Sequence, residues 1–183
     1  MENEVEEWRP IFSHKEHQVS SWGRVRSLDR WVNYKNGSRH FIRGKLMKLV
    51  LGNHGYYQVA LKGVTHLVHR LIVEAFIGPL NGNHVDHANG DKRNNLISNL
   101  RVCSRSENAS NQKKHNDSSS GLKGVCWNDG RRKWMARICC NGKHVSLGYF
   151  SYKEDAALAY DASAIKLFGD FALTNARLGL VRC

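Results

Sequence analysis

Apolar residues recur at helical spacing in "THLVHRLIVEAFIGP", residues 65–79, where Val68, Leu71, Ile72, Ala75 and Phe76 fall on one stripe. Thr65 stands where it can cap the start of this helix, and Gly78 followed by Pro79 marks its stop. Just upstream, "YYQVALKG" alternates as a strand does, and "LNGNHV" after the helix reads as a loop running into a short strand. A second helix opens at Ser104, because Ser104-x-x-Glu107 fits a capping box, and Asn108 then falls in its first turn.

The pattern changes after the polar segment "KKHNDSSSG", residues 113–121, which reads as a linker: no apolar residue lies between Ala109 and Leu122. In "KWMARICC-NG-KHVSLGYF" Trp134, Ala136 and Ile138 alternate with Lys133, Met135 and Arg137, and Asn141-Gly142 predicts a two-residue hairpin turn. A helix with a second capping box, Ser151-x-x-Glu154, follows; its Ala156, Ala159, Tyr160 and Ile165 are expected against the apolar face, with Gly169 as its stop. Before residue 56 the signal is sparser. "HQVSSWGRVRSL" predicts two short strands around Trp22-Gly23 and "RGKLMKLVL" another, with too few apolar residues for an independent core, so this part is expected to lean on the central one. The expected organisation is α+β in three modules, 1–55, 56–116 and 117–183: a central ββα core and a C-terminal three-stranded antiparallel sheet packed on one helix.

Composition supports folding throughout, with 41% hydrophobic residues in a chain of 183. A net charge of +12 points to a polyanionic partner, nucleic acid first. The charge is evenly spread: Lys and Arg against Asp and Glu count 10 to 6 in residues 1–55, 8 to 4 in 56–116 and 10 to 6 in 117–183. Such spreading suits several modules following one phosphate backbone. The start, "MENEVEEW", is acidic and lacks an apolar leader region, and no apolar run approaches the roughly 20 residues that cross a bilayer. An intracellular protein of the host cytoplasm, associated with the nucleoid and not secreted, is expected, with no membrane partner. The five cysteines, 103, 126, 139, 140 and 183, form no C-x-x-C pair, so neither structural zinc nor a disulfide framework is expected.

Candidate chemistry concentrates in "HVDHANGDKRNNLISNLRVCSRSEN", residues 84–108. Phosphodiester hydrolysis needs a base for the attacking water and a cation for the charge on phosphate. Asp86 and Asn108 offer hard oxygen ligands of the kind Mg²⁺ takes, and His87 is the natural base. An imidazole accepts on one nitrogen only when the hydrogen of the other is fixed, a role for which Asn99 is the candidate. The spacing, 13 positions from Asp86 to Asn99 and 9 more to Asn108, suits a strand end, a connecting loop and a helix start around one ion. Strand alternation would put His84 and Asp86 on one face and His87 on the other, so the strand must twist or end at Asp86, leaving His84 peripheral. Asn94 and Asn95 are read as turn caps, and His66 and His69 as core residues or supports of a ligand.

Through "HRLIVEAF", "VDHANGDKRNNLISNLR" and "SEN", about residues 56–112, the chain resembles the HNH nucleases in the form found in phage and intron-associated homing endonucleases. The resemblance implies Asp86 and Asn108 as ligands of one divalent cation, Mg²⁺ with Mn²⁺ as the alternative, His87 as general base, Asn99 as the residue that orients it, and products with 5′-phosphate and 3′-hydroxyl ends. Residues 121–175 resemble the plant ethylene-response-factor DNA-binding domain, whose sheet lies in the major groove. At its contact positions stand Lys123, Lys133, Arg137 and His144, while Cys126, Asn128, Cys139 and Ser146 replace the usual Arg or Trp, so the binding sequence does not transfer. Trp127 reads as a DNA contact or as core, and Arg131 and Arg132 as phosphate contacts beside the Asp129-Gly130 turn. "EEWRPI", "VSSWGRVRS" and "RGKLMKL" resemble a short modular segment attached to such nucleases, with Arg24 and Arg26 as backbone contacts. The expectation is a monomeric, site-specific, metal-dependent endonuclease acting on double-stranded DNA, with no small-molecule substrate. Its alternatives are a non-catalytic DNA-binding regulator that keeps the HNH scaffold, and an RNA-directed protein.

Overall fold

A computed structural model describes residues 5–112 and 119–181. Most of the expected linker, the first residues of "MENEVEEW" and Cys183 lie outside the described residues. The chain divides into two compact units, Met1–Val102 and Cys103–Cys183.

In the first unit β1 (Trp8–Ile11), β2 (His14–Ser20) and β3 (Val25–Ser27) form an antiparallel sheet, the last two joined by the Trp22-Gly23 turn that the sequence predicts. A hairpin of β4 (Arg30–Asn33) and β5 (Arg39–Ile42) follows, which hydrophobic patterning does not reveal. "RGKLMKLVL" yields only an isolated bridge at Leu46 and the short β6 (Val50–Leu51), which joins β7 (Tyr57–Leu61) and β8 (Val64–Leu67) in a second antiparallel sheet. Helix α1 (Val68–Phe76) then begins without a break after β8. Thr65 is therefore no cap: it lies inside β8, paired with Ala60, and Leu67 flanks the helix with no side-chain cap. The stop is as expected. Gly78, at φ 134°, donates its N–H back to the carbonyl of Val73.

One core closes this unit. Val19 and Val25 from the N-terminal sheet pack in the same cluster as Val59, Leu61, Val68, Leu71, Ile72 and Val73, joined by Val85 of β9 (His84–His87) and Leu100 of β10 (Leu100–Cys103). The N-terminal segment thus leans on the central module, as its few apolar residues require.

In the second unit α2 (Arg105–Ser110) opens on the capping box foreseen at Ser104. The Glu107 N–H donates to Ser104 Oγ at 3.2 Å and the Ser104 N–H to Glu107 Oε2 at 2.7 Å. Strands β11 (Val125–Asn128), β12 (Lys133–Cys140) and β13 (Lys143–Phe150) form the antiparallel sheet, with Asn141 and Gly142 both at positive φ in the hairpin turn. Helix α3 (Lys153–Phe168) backs it and stops at Gly169. Two expectations for this helix are corrected. Tyr152, not Ser151, flanks its start, with no side-chain cap. Ile165 is 57% exposed, because the buried stripe runs Ala156, Tyr160, Ala164, Phe168 at four-residue steps and leaves position 165 on its outer flank. The mixed strands and helices give the α+β class expected.

Candidate active site

Strands β9 and β10 pair, and the connection between them is tied by its asparagines. Backbone Ala88 N–H donates to the Asn99 carbonyl at 2.9 Å, and Asn89 N–H to Asn99 Oδ1 at 3.1 Å. Asn99 Nδ2 donates in turn to Asn89 Oδ1 at 3.1 Å and to the Asn94 carbonyl at 2.8 Å. Gly90, at φ 72°, turns the chain back, its N–H on the His87 carbonyl. Asn94 accepts from the Leu96 N–H, an Asx turn as its turn-cap reading expects.

Asp86 and His87 both end up buried, at 4% and 5% exposure, although alternation sends them to opposite faces. His84 stays exposed. The Asp86 carboxylate accepts from Arg101 of the paired strand, with Oδ2 at 2.5 Å from Nη2 and 3.1 Å from Nε. Arg101 went unnoticed in the sequence, where nothing marks one arginine among many.

His87 Nε2 lies 3.1 Å from Asn95 Oδ1, and Asn95 is itself 6% exposed. The amide on the imidazole is therefore Asn95, expected only to cap a turn. Asn99, expected in that place, spends its side chain on Asn89 and Asn94 and holds the shape of the connection instead.

His69 of α1 stacks edge-on against the His87 ring, centroids 5.2 Å apart, and Tyr56 touches both at 4.8 and 5.9 Å. Burial, aided by the neighbouring His87 and Arg70, pulls the His69 pKa down to about 4. His69 is thus neutral near pH 7 and adds no charge beside His87. Lys92 sets its ammonium 4.8 Å over the Tyr56 ring, with Nζ donating to the His54 carbonyl.

Among the described residues no group of three His, Cys, Asp or Glu stands ready to hold a metal. Asp86 nonetheless fits a hard divalent cation by donor type. An ionised carboxylate accepts on about four lone-pair sites, so an arginine pair and a cation do not exclude one another. Asn108 lies in the first turn of α2, in the second unit, its N–H on the Ser104 carbonyl.

The outer face of the C-terminal sheet carries most of the residues expected there. Register pairs Arg137 with Ser146, Cys139 with His144 and Asn128 with Lys133, so these side chains share one face, and the Arg131 guanidinium lies 4.5 Å over the Tyr149 ring. Arg132 is exposed at the turn. Two expected contacts are placed elsewhere. Lys123 turns inward, Nζ donating to the carbonyls of Ser110 and Leu173, and burial lowers its pKa to about 8. Trp127 pairs with Trp134, which puts it on the opposite face from Arg137 with its ring edge-on to Trp134. In the first unit Arg24 ion-pairs with Glu6, and Arg26 bonds Gln18 while lying 4.1 Å over the Trp8 ring.

The chain matches a NUMOD4 motif over residues 6–62, an HNH endonuclease over 66–110 and an AP2 domain over 120–170. Protein 3.8 of Escherichia phage T7 is 32% identical over 105 residues, spanning 57% of this chain and 86% of that protein. The DNA endonuclease I-HmuI of Bacillus phage SP01 is 36% identical over 112 residues, 58% of this chain and 57% of that protein. An uncharacterized HNH endonuclease of Acanthamoeba polyphaga mimivirus is 30% identical over 152 residues, 81% of this chain and 72% of that protein. A solved structure of the homing endonuclease I-HmuI covers 94% of this chain and 87% of its own, with a TM-score of 0.48 at 26% identity. The chain belongs to the HNH endonuclease family, a class of DNA-cleaving hydrolases.

Proposed function

We propose that this chain is a divalent-metal-dependent homing-type endonuclease that hydrolyses phosphodiester bonds of double-stranded DNA at specific sites, with His87 as general base. The observation that carries the reading is the buried Asp86-His87 pair, its carboxylate held by Arg101 and its imidazole by Asn95. The His87 imidazole, held by Asn95, takes a proton from water. The water oxygen then bonds to phosphorus as the P–O3′ bond breaks, leaving a 5′-phosphate and a 3′-oxygen that solvent protonates. Asp86, with Asn108 assigned by the motif alone, would hold the divalent cation, which when bound supplies positive charge to the phosphate. Arg101 orients the Asp86 carboxylate.

Support for DNA as substrate comes from the family and from the exposed cationic face of the C-terminal sheet, where Lys133, Arg137, His144 and Arg131 are available to phosphates and base edges. Among the described residues no helix is long and apolar enough to cross a membrane.

Supercoiled plasmid carrying diverse phage DNA tests the reading. The wild type with Mg²⁺ is expected to give open circles or linear product. EDTA should stop the reaction, and His87→Ala should slow it roughly 10²- to 10⁴-fold while duplex binding persists. Cleavage by His87→Ala at the wild-type rate would remove the base assignment.

A further inference from the structure

We propose that Lys92 positions the substrate by holding a phosphate of the cut strand within about three nucleotides of the scissile one. The inference rests on the proposed cleavage of DNA beside His87 and adds a contact for that substrate.

Lys92 stands exposed on the connection between β9 and β10, where the backbone around it is fixed. The Asp91 N–H donates to Asn89 Oδ1 at 2.9 Å, the Arg93 N–H to Asp91 Oδ1 at 2.9 Å and the Asn94 N–H to the Asp91 carbonyl at 3.1 Å. The side chain is fixed as well. It crosses to the turn between β6 and β7, where Nζ donates to the His54 carbonyl at 3.2 Å and lies 4.8 Å from the centre of the Tyr56 ring. A surface lysine loses rotamer freedom when it grips a ligand, and here that loss accompanies folding. An ammonium carries three N–H groups, of which one goes to His54. Among the described residues no carboxylate forms an ion pair with Lys92, whereas Arg101, the other cation of the site, already faces Asp86.

Tyr56 sets the distance between this cation and the base. Its ring supports the ammonium and also touches the His87 ring, with centres 5.9 Å apart. Steps of 4.8 and 5.9 Å place Nζ at most about 11 Å from the centre of the imidazole. A strand of duplex DNA advances roughly 3.4 Å along its axis per nucleotide, so a phosphate bound at Lys92 falls within about three steps of one attacked beside His87.

Duplex binding by the full chain in EDTA, over a range of salt, is the first test. Lys92→Gln keeps a side-chain donor for His54 and loses only the charge; Lys92→Met loses both and Lys92→Arg neither. The slope of log affinity against log salt should fall by about 0.9 in the Gln and Met variants and stay at the wild-type value in the Arg variant. A lysine that only staples the connection to the β6–β7 turn would change the melting temperature and not the slope, and an unchanged slope in Lys92→Gln overturns the proposal. The cut mapped on plasmid then supplies a short duplex whose phosphates are replaced one at a time by neutral methylphosphonates. The wild type should lose about 10-fold in affinity at one phosphate of the cut strand within about three nucleotides of the cut, and Lys92→Gln, already weaker by that factor, should lose nothing more there. Equal responses of the two proteins at every position, or a Lys92-dependent phosphate on the uncut strand alone, would sink the assignment. In cleavage Lys92→Gln should raise KM about 10-fold at nearly constant kcat. A chain that cuts no plasmid fails the cleavage reading instead, while the salt slope, read without turnover, still decides whether Lys92 holds a phosphate.

Discussion

His69 packs its ring against that of His87 and is itself buried. Burial holds it neutral beside His87, and this has a cost in acid. The His69 pKa lies at about 4 in the folded chain against 6.5 when unfolded, so between those values the unfolded chain binds the extra proton. Stability is full above pH 6.5 and is lost as pH falls toward 4, by on the order of 3 kcal/mol from this group. Burial lowers the pKa of His14 and His17 as well, adding to the same slope. Urea melts at pH 7 and pH 4.5 should show a smaller acid loss in His69→Phe than in the wild type; an equal loss would mean that the buried neutral imidazole is not its source. At this scale Asp86 and His87 were legible as candidates, because few residue types could do the chemistry proposed. Asn95 was not, since asparagine in a loop reads as a turn cap and only burial, which sequence does not print, forces its amide onto a ring.

Elements were legible where their ends carry their own bonds. Ser104-x-x-Glu107 becomes a capping box because Ser104 is extended immediately before α2. The same letters at Ser151 do not, because the chain turns after β13 and the helix starts two residues later. The β4–β5 hairpin left no trace in the pattern, since Trp31, Asn33, Arg39, His40 and Phe41 are all exposed and no apolar face alternates. Lys123 shows the opposite failure: a basic residue at a DNA-contact position is consumed by its own fold. Its ammonium ties the last carbonyl of α2, at Ser110, to that of Leu173, and Ser106 Oγ of the same helix bonds Asn141 at the hairpin turn. Lys123→Met should therefore destabilise the chain by about 1–3 kcal/mol in thermal or urea unfolding, through carbonyls left short of a donor. Its DNA affinity, measured below the melting range, should stay near wild type.

For the whole molecule, a chain of net charge +12 should bind DNA with a strong salt dependence. Each phosphate contact removed lowers the slope of log affinity against log salt by about 0.9. Combined Arg131→Ala and Arg137→Ala replacement should reduce the slope by up to about 2 units in metal-free titrations, and Lys123→Met by none; a flat response to the double replacement would place the DNA elsewhere. Three modules were expected where the chain forms two compact units, and it was the charge spread that was legible from composition. How the modules share apolar side chains was not, because that depends on contacts far apart in sequence, such as Val19 and Val25 in one cluster with Val59 and Ile72. That shared cluster also sets which pieces of the gene can be inherited separately. A recombination event that delivered residues 56–102 without the preceding sheet would strip Val19 and Val25 from the interior. The first hundred residues therefore travel as one cassette, and a viable crossover must fall outside them.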